Sequence, residues 1–370
     1  MNGVAIRSPS WWTGVGLAVT VSLAAAGSAT WVGESLLGFD KSPISAIMLA
    51  IAIGMVLANA WQLPDRLAGG LRFCASTILR VGIMLLGIRL SLLAAGRFTL
   101  VALPFVIAAI GAGLTIVGVL GKQLGLTRQL SGLIAVGTSI CGCTAIVATA
   151  PLIRANEAEV SYSIACITVF GLAAMFLYPF IAHAIFVDQP ALAGLFLGTS
   201  IHETAQVAGA ALMYRTQYDA PLTLDIATVT KLVRNLCMIA VIPLVGVLYA
   251  TDRGERRPQG SGAWLRLVPW FIVGFAAMSA LRTIGDSAER PFSMFSADSW
   301  GNTIQIVQSI AEYCLLIAMA AIGLTSSFAG IRRIGLRPFL LGLIAAALVG
   351  GLSLTLIVLF ATPLIDLLGV

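Results

Sequence analysis

The chain has 370 residues, of which 59% are hydrophobic and only 10% are charged. A water-soluble fold could not bury that much apolar surface, so this composition excludes an ordinary soluble domain. The formal net charge of +6 arises from basic residues in short linkers between apolar runs, not from one basic stripe of the kind that binds nucleic acid. We therefore expect a lipid bilayer as the surroundings and no nucleic acid as a partner.

Apolar runs of about 18 to 25 residues recur along the chain, and each is long enough to cross a bilayer as a helix. The sequence therefore predicts an all-α polytopic membrane protein. In chain order, uninterrupted spans are expected near residues 11–28, 43–60, 76–95, 98–120, 159–186, 222–250, 263–282, 302–324 and 338–361. Two further apolar stretches, 129–153 and 191–213, are interrupted by Gly, Ser and Thr. The total is nine spans with two re-entrant hairpins, or eleven spans.

No polar linker is long enough to fold as a soluble domain, so residues 1–370 are predicted to form a single transmembrane transporter domain. Within it, we assign a substrate-binding core with two broken helices to 129–250, repeat-related surrounding helices to 43–120 and 263–370, and an extra N-terminal span to 1–42. A cleavable signal peptide is the alternative for the first span, because Arg7 precedes an apolar stretch that ends in small residues.

Basic linkers predict the orientation, because they are retained on the cytoplasmic side. The predicted location is a bacterial inner membrane, with a cytoplasmic N-terminus and an external C-terminus. Arg154 is cytoplasmic only if 129–153 re-enters the membrane instead of crossing it. The residues assigned to the cytoplasmic face are Arg7, Arg66, Arg72, Lys122, Arg128, Arg154, Arg253, Arg256, Arg257, Arg332, Arg333 and Arg337.

A repeated string is the strongest signal in the sequence. It reads GTSICGCTAIVA at 137–148 and GTSIHETAQVA at 198–208. On the predicted topology the two copies run in opposite directions, and inverted repeats with interrupted helices indicate the binding site of a secondary transporter. Half-helices beginning at Cys143 and His202 would direct free N–H groups and positive dipole ends at the break, which suits an anion. The alternative is that the small residues merely allow close helix packing.

Charged and polar residues lie deep within the span 222–250. Lys231, Arg234 and Asn235 are about ten residues inside it, and ionisable residues at that depth are candidates for function. The alternative is a structural role, in which a carboxylate of Asp225, Glu203 or Glu312 neutralises them.

Catalysis and metal binding are the competing interpretations of the breaks. His202 and Glu203 resemble the start of a zinc-protease HExxH motif, but Gln206 stands where the second histidine is required. Cys141, Cys143 and His202, with Glu203, could form a soft-metal set or an enzyme site if the breaks meet. We expect no cofactor and no enzyme activity, and no nucleotide-binding glycine loop is present.

Three strings carry a family resemblance: GTSICGCTAIVATAPLI, GTSIHETAQVAGAA and ATVTKLVRNL at 227–236. On them, and over nearly the whole chain from about Pro43, the sequence resembles the sulfate exporter family, the YeiH-like bacterial inner-membrane proteins. The resemblance implies an inner-membrane transporter with inverted repeats that exports sulfate or a related oxyanion. The chain departs from the family's pattern at Cys143 and Thr144, which leaves the role of the Cys143 side chain open.

Together these features predict a secondary transporter that moves a small anion, such as sulfate, a related sulfur oxyanion or a sulfonate, across the inner membrane. A sodium-coupled organic anion carrier is the alternative. The coupling ion is a proton or sodium, the coupling residues are Glu203, Glu312 or Asp225, and a homodimer is expected. The predicted substrate-binding residues are Thr138, Ser139, Cys141, Gly142, Thr199, Ser200, His202, Glu203, Thr204, Lys231, Arg234 and Asn235.

Overall fold

The computed structural model describes residues 8–32, 45–61, 63–252, 268–287, 296–326 and 335–368. These residues are mostly helical and include no strand, which confirms the all-α prediction. The helices are α1 Pro9–Thr30, α2 Ala46–Ala60, α3 Asp65–Arg89, α4 Leu92–Gln123, α5 Arg128–Ser139, α6 Cys143–Ile153, α7 Glu157–Ile185, α8 Pro190–Ser200, α9 Thr204–Tyr218, α10 Pro221–Leu236, α11 Met238–Asp252, α12 Trp270–Asp286, α13 Ala297–Thr325 and α14 Leu336–Leu368.

Seven helical segments among the described residues are long and apolar enough to cross a membrane. They are α1, α3, α4, α7, the α10–α11 pair, α13 and α14. The chain is therefore a multi-pass membrane protein. Its shorter apolar helices include α2 and one half of each interrupted stretch, α6 and α8.

One predicted span has wrong boundaries, and a second has the predicted bounds but is divided. The span expected at 76–95 is instead α3, which contains 3₁₀ and π segments, and extended Leu90 separates it from α4. Asp65, Arg66 and Arg72 made its first turns resemble a linker, although charged side chains are tolerated near a helix end. The span expected at 222–250 is divided at Cys237 into α10 and α11.

Part of the orientation argument lies outside the described residues. The structure does not describe six of the arginines used in that argument, nor the first residues of the predicted spans 43–60 and 263–282. The six are Arg7, Arg253, Arg256, Arg257, Arg332 and Arg333. The cytoplasmic N-terminus therefore stays a prediction.

The chain divides into two compact units. Unit 1 contains α1, α2, α3, most of α12, α13 and the end of α9. Unit 2 contains nearly all of α4, α5 to α8, the first half of α9, α10, α11 and α14. Both breaks and the 231–235 segment lie in unit 2, while the prediction of one domain with its core at 129–250 stays a prediction.

Helices in unit 1 approach each other at glycines. Gly54 of α2 lies against Gly323 of α13, and a Cβ on Gly54 would lie 2.8 Å from the carbonyl oxygen of Ala320. Gly14 of α1 and Gly70 of α3 make a second contact of this kind. Small residues let helix backbones pack closely where no hydrophobic force acts between helices, which is the usual arrangement in a membrane.

Unit 2 has an apolar core around α5. Val117 of α4, Ile134 of α5 and Leu341 of α14 are buried together. Two of its helices have N-termini capped by side chains: Thr127 accepts from the Leu130 N–H of α5, and Asn156 and Glu159 form a capping box on α7. This packing fixes α5 and α7 around the first break.

Candidate functional site at two broken helices

Each copy of the repeated string forms a broken helix. The first break is residues 140–142, between α5 and α6, and the second is residues 201–203, between α8 and α9. Both breaks are three residues long and follow the sequence Gly-Thr-Ser. The additional residue of the first copy, Cys143, becomes the first residue of α6. The predicted half-helix start at Cys143 is confirmed, whereas α9 begins at Thr204, two residues later than predicted.

The first break depends on Gly142. Its φ of 75° lies in the left-handed region, which disfavours residues with a Cβ. A Cβ there would also meet the Cγ of Glu203, from the second break. The two breaks therefore lie side by side, and only glycine fits at their contact.

The second break is more extended. Ile201 has φ −82° and ψ 137°, and the described part of this break has no residue with positive φ. The side chain of Gln206, which is 1% exposed, accepts from the Glu203 N–H at 3.3 Å and donates to the Thr168 carbonyl of α7. Gln206 thus attaches the break to a neighbouring helix.

Lys231 of α10 lies under both breaks, with 1% of its surface exposed. Its Nζ donates to the carbonyl of Ile140 at 3.1 Å, to that of Ile201 at 2.9 Å, and to that of His202. An ammonium group has three protons. All three are therefore used by backbone carbonyls of the two breaks.

Arg234, one turn further along α10, is completely buried. Its Nε donates to the Ser139 carbonyl at 2.7 Å, one terminal nitrogen donates to Thr199 at 2.7 Å and to Ile201 at 3.1 Å, and the other donates to Thr138. Four of its five N–H groups are engaged.

The contacts of Lys231 and Arg234 follow the sequence repeat. Arg234 binds Thr138 and Thr199, which are equivalent positions, and Lys231 binds the equivalent Ile140 and Ile201. The last carbonyls of a helix have no partner within it and carry the negative end of its dipole. The two cations, which we call the latch, therefore hold the carboxyl ends of α5 and α8 together.

The hydroxyls predicted to bind substrate in the Gly-Thr-Ser segments fall into two pairs: within the described structure the threonine hydroxyls are engaged and the serine hydroxyls are not. Thr138 and Thr199 donate to carbonyls within their own helices. Ser139 lies against Gly113 of α4, and the buried Oγ atoms of Ser139 and Ser200 have no hydrogen-bond partner in the described structure. Direct solute contact by these four residues stays a prediction.

The amino ends of α6 and α9 are more accessible than the carboxyl ends of α5 and α8. Cys143, Glu203 and Thr204 are half-buried and Thr144 is exposed, whereas residues 138–142 and 199–202 are buried. We call Gly142, Cys143, Thr144, Glu203 and Thr204 the amino-end face. The first N–H groups of both half-helices belong to it and have no acceptor within their helix.

Asn235 of α10 contacts this face. It is 2% exposed, and its Nδ2 donates to the Thr204 hydroxyl at 3.1 Å. Its Oδ1 has no hydrogen-bond partner in the described structure. A buried polar atom without a partner is uncommon in proteins and often indicates a ligand or a water molecule.

The other coupling candidates belong to other helices than Glu203. Glu312 is in unit 1, where its carboxylate pairs with Arg215 and lies 3.9 Å from Arg89. Asp225 is half-buried on α10, nearly two turns before Lys231. Only Glu203 belongs to a break.

Cys141 and Cys143 do not form a metal set with His202 and Glu203. Within the described ranges, no group of three or more His, Cys, Asp or Glu side chains is arranged to hold a metal ion. The Cys141 thiol instead lies 3.0 Å from the sulfur of Met238.

Sequence reasoning missed the partners of the latch. The two interpretations considered for Lys231 and Arg234 were contact with the solute anion and neutralisation by a carboxylate, but their partners in the described structure are backbone carbonyls. The signal was present, since two interrupted helices in membrane surroundings leave orphan carbonyls that need donors. Gln206 was likewise considered only as a failed metal ligand, and its role in fixing the second break was missed.

Comparison with known proteins places residues 15–342 within the family model of conserved hypothetical protein 698. A UPF0324 membrane protein of Oceanobacillus iheyensis is 30% identical over 355 residues, which cover 95% of this chain and 96% of the relative. A UPF0324 membrane protein of Pseudomonas aeruginosa is 33% identical over 351 residues, which cover 90% of this chain and 92% of the relative. No solved structure matches.

Proposed function

Because the chain belongs to the conserved hypothetical protein 698 family and is a relative of the UPF0324 membrane proteins, we propose that it is a multi-pass secondary transporter of a small oxyanion. The solute binds at the amino-end face of unit 2, above the latch. Sulfate and related sulfur oxyanions are the first candidates, given the resemblance to the sulfate exporter family.

One observation carries the proposal: two broken helices meet at a half-buried face that presents their amino ends. Free N–H groups and positive dipole ends at such a face bind oxygen atoms of anions. Lys231 and Arg234 add two positive charges directly below, against the one negative charge of Glu203. An oxyanion has several acceptor oxygens and can therefore satisfy both helix ends at once.

The contacts of the latch favour an anion over sodium as the ion bound at the breaks. Sodium in a broken-helix carrier is coordinated by unwound carbonyls and half-helix carboxyl ends. Here the carbonyls of Thr138, Ser139, Ile140, Thr199, Ile201 and His202 already accept protons from Lys231 and Arg234. The ammonium and guanidinium groups thus occupy the places where a metal cation would bind.

Because of these contacts, a substitution of Lys231 is a poor test of solute binding. Its three protons are engaged, so Lys231→Ala would leave buried carbonyls without donors as well as removing a charge. Loss of binding in that variant would not distinguish solute contact from disruption of the breaks. A variant at the amino-end face is the sharper test.

The first experiment is thermal unfolding of the detergent-purified protein with sulfate, sulfite, thiosulfate, taurine, dicarboxylates or chloride, at varied sodium concentration. A ligand at one hundred times its dissociation constant stabilises by about 2.7 kcal/mol. We expect a shift with one class of oxyanion that does not require sodium. A shift with sodium alone would contradict the proposal.

Asn235→Asp tests the location. The amide of Asn235 donates to the Thr204 hydroxyl, whereas the new carboxylate would accept from it, and its charge would repel an anion at the α9 amino end, so we expect the oxyanion affinity to fall at least about tenfold. Asn59→Asp in unit 1 is the matched control and should leave the affinity unchanged. Equal affinity in the Asn235 variant and the wild type would place the solute elsewhere.

A further inference from the structure

The Glu203 carboxyl group lies where the proposed solute would bind. Its Cγ and Cδ lie against Gly142, the N-cap residue of α6, and the carboxyl group interacts electrostatically with the Cys143 thiol at the first helical position. A carboxylate at a helix amino end is stabilised by the dipole and the free N–H groups. Glu203 therefore provides the chemistry of a bound anion from within the chain.

Charged and titratable groups from several elements surround the Glu203 carboxyl group. Lys231 of α10 interacts with it electrostatically, and the other titratable groups near it are the thiols of Cys141 and Cys143. Arg234 and the imidazole of His202 complete the charged and titratable groups at the breaks. No arginine or lysine donates a hydrogen bond to the Glu203 carboxylate in the described structure, because both latch cations donate to carbonyls.

Because Glu203 makes no direct ion pair with a described residue, its side chain is less restrained than its backbone. Its backbone is fixed, since Gln206 accepts from its N–H, but its side chain is half-buried on the accessible face. A second observation concerns the protonated form of Glu203: the buried Oδ1 of Asn235, at the amino end of α9, has no partner among the described residues, and as an acceptor it requires a donor such as a neutral carboxyl group or water.

From this arrangement we infer that Glu203 is a tethered anion that competes with the transported oxyanion for the α6 amino end, so that solute binding is coupled to proton uptake. The inference rests on the proposed function. When the Glu203 carboxylate takes a proton from water, it loses its charge and its attraction to the α6 amino end. The oxyanion then takes its place, and one proton is taken up for each anion bound. The same glutamate thus supplies the coupling site.

The test is the sulfate dissociation constant, measured by calorimetry between about pH 5 and pH 8. Sulfate is the probe because its own charge does not change in this range. Uptake of one proton makes the wild-type affinity fall by about tenfold per pH unit wherever the carboxylate predominates. Glu203→Gln removes the charge and keeps the shape, so this variant should bind sulfate with an affinity that does not depend on pH and equals the wild-type value at low pH.

Glu312→Gln is the matched control, because it makes the same change in a carboxylate of unit 1 that pairs with Arg215. It should keep the wild-type pH dependence. The inference is overturned if Glu203→Gln retains the wild-type slope, or if the slope disappears only in the Glu312 variant. Absence of sulfate binding in the wild type and both variants at every pH would instead overturn the proposed function for sulfate, and this inference with it.

A second measurement does not depend on how the variant folds. Sulfate binding to the wild-type protein, followed in two buffers of different ionisation enthalpy, reports the number of protons exchanged. We expect about one proton taken up per sulfate at the high end of the pH range. A value of zero there would overturn the inference, even with sulfate bound.

Discussion

The two units differ in whether their helices are broken and in how their buried polar groups find partners. Unit 1 brings unbroken helices together at glycines such as Gly54 and Gly323, and its Arg215–Glu312 pair is only partly buried. Unit 2 breaks two helices and then satisfies the exposed carbonyls with the completely buried Arg234 and the nearly completely buried Lys231. Backbone at membrane depth is tolerated outside a helix only where such partners or a cavity exist. The broken helices and buried cations of unit 2 therefore support the proposal that the solute binds there.

The largest effect should come from the latch. Arg234→Met keeps a long apolar side chain but removes four hydrogen bonds, which leaves buried carbonyls of α5 and α8 without donors. We expect a loss of about 3–5 kcal/mol in the free energy of unfolding. Thermal unfolding in detergent would measure it.

Arg234→Lys is the control for charge, and it should recover only part of this stability because one ammonium group cannot reach four acceptors in fixed directions. If Arg234→Met unfolded at the wild-type temperature, the latch would not hold the breaks together.

Gly142→Ala should have the next largest effect. The new Cβ would occupy a left-handed backbone conformation and meet the Glu203 side chain, so we expect about 2–3 kcal/mol of destabilisation together with weaker sulfate binding. Thermal unfolding with and without sulfate separates the two effects. Gly111→Ala in α4, where nothing lies within 4 Å of the added Cβ, should be neutral or slightly stabilising. Equal behaviour of both variants would contradict the glycine requirement of the first break.

Gly54→Ala extends the comparison to unit 1. The added methyl group would lie 2.8 Å from the carbonyl oxygen of Ala320 and would force α2 away from α13, at a cost of about 1–2 kcal/mol. Because unit 1 is not proposed to bind the solute, the sulfate dissociation constant of the folded variant should equal that of the wild type. Gly16→Ala in α1, with open space around its Cβ, is the matched control for helix propensity. A loss of sulfate affinity in Gly54→Ala at unchanged stability would break the division of roles between the units.

The smallest effect is expected for Glu312→Gln. The side chains of Glu312 and Arg215 are 30% and 24% exposed, so solvent screens their ion pair, and its loss should cost less than about 1 kcal/mol. The unfolding temperature in detergent should hardly change. A loss as large as that of Arg234→Met would show that unit 1 also depends on a buried charge.

Much of the fold and the position of the site could be predicted from the sequence. The apolar runs predicted the helices, and the repeated string located both breaks, because Gly, Ser and Thr interrupt an otherwise continuous apolar stretch. A predicted helix boundary was wrong where charged residues occur near a helix end. Arg66 and Arg72 suggested a linker, but they belong to α3. The breaks indicated that some carbonyl groups need donors, but the sequence did not show that Lys231 and Arg234 supply them, because every residue carries a carbonyl group and the pairing depends on how the helices pack.

The sequence by itself determined that this is a helical membrane protein, where its helices break, and that α10 carries buried cations. Only the tertiary structure decided which groups those cations bind, which ends of the half-helices are accessible, and that Glu203 of one repeat lies on Gly142 of the other. The physical reason is that hydropathy and helix interruption are local properties of the chain. Hydrogen bonds between residues 29 to 96 positions apart depend on how α5, α8 and α10 come together in space.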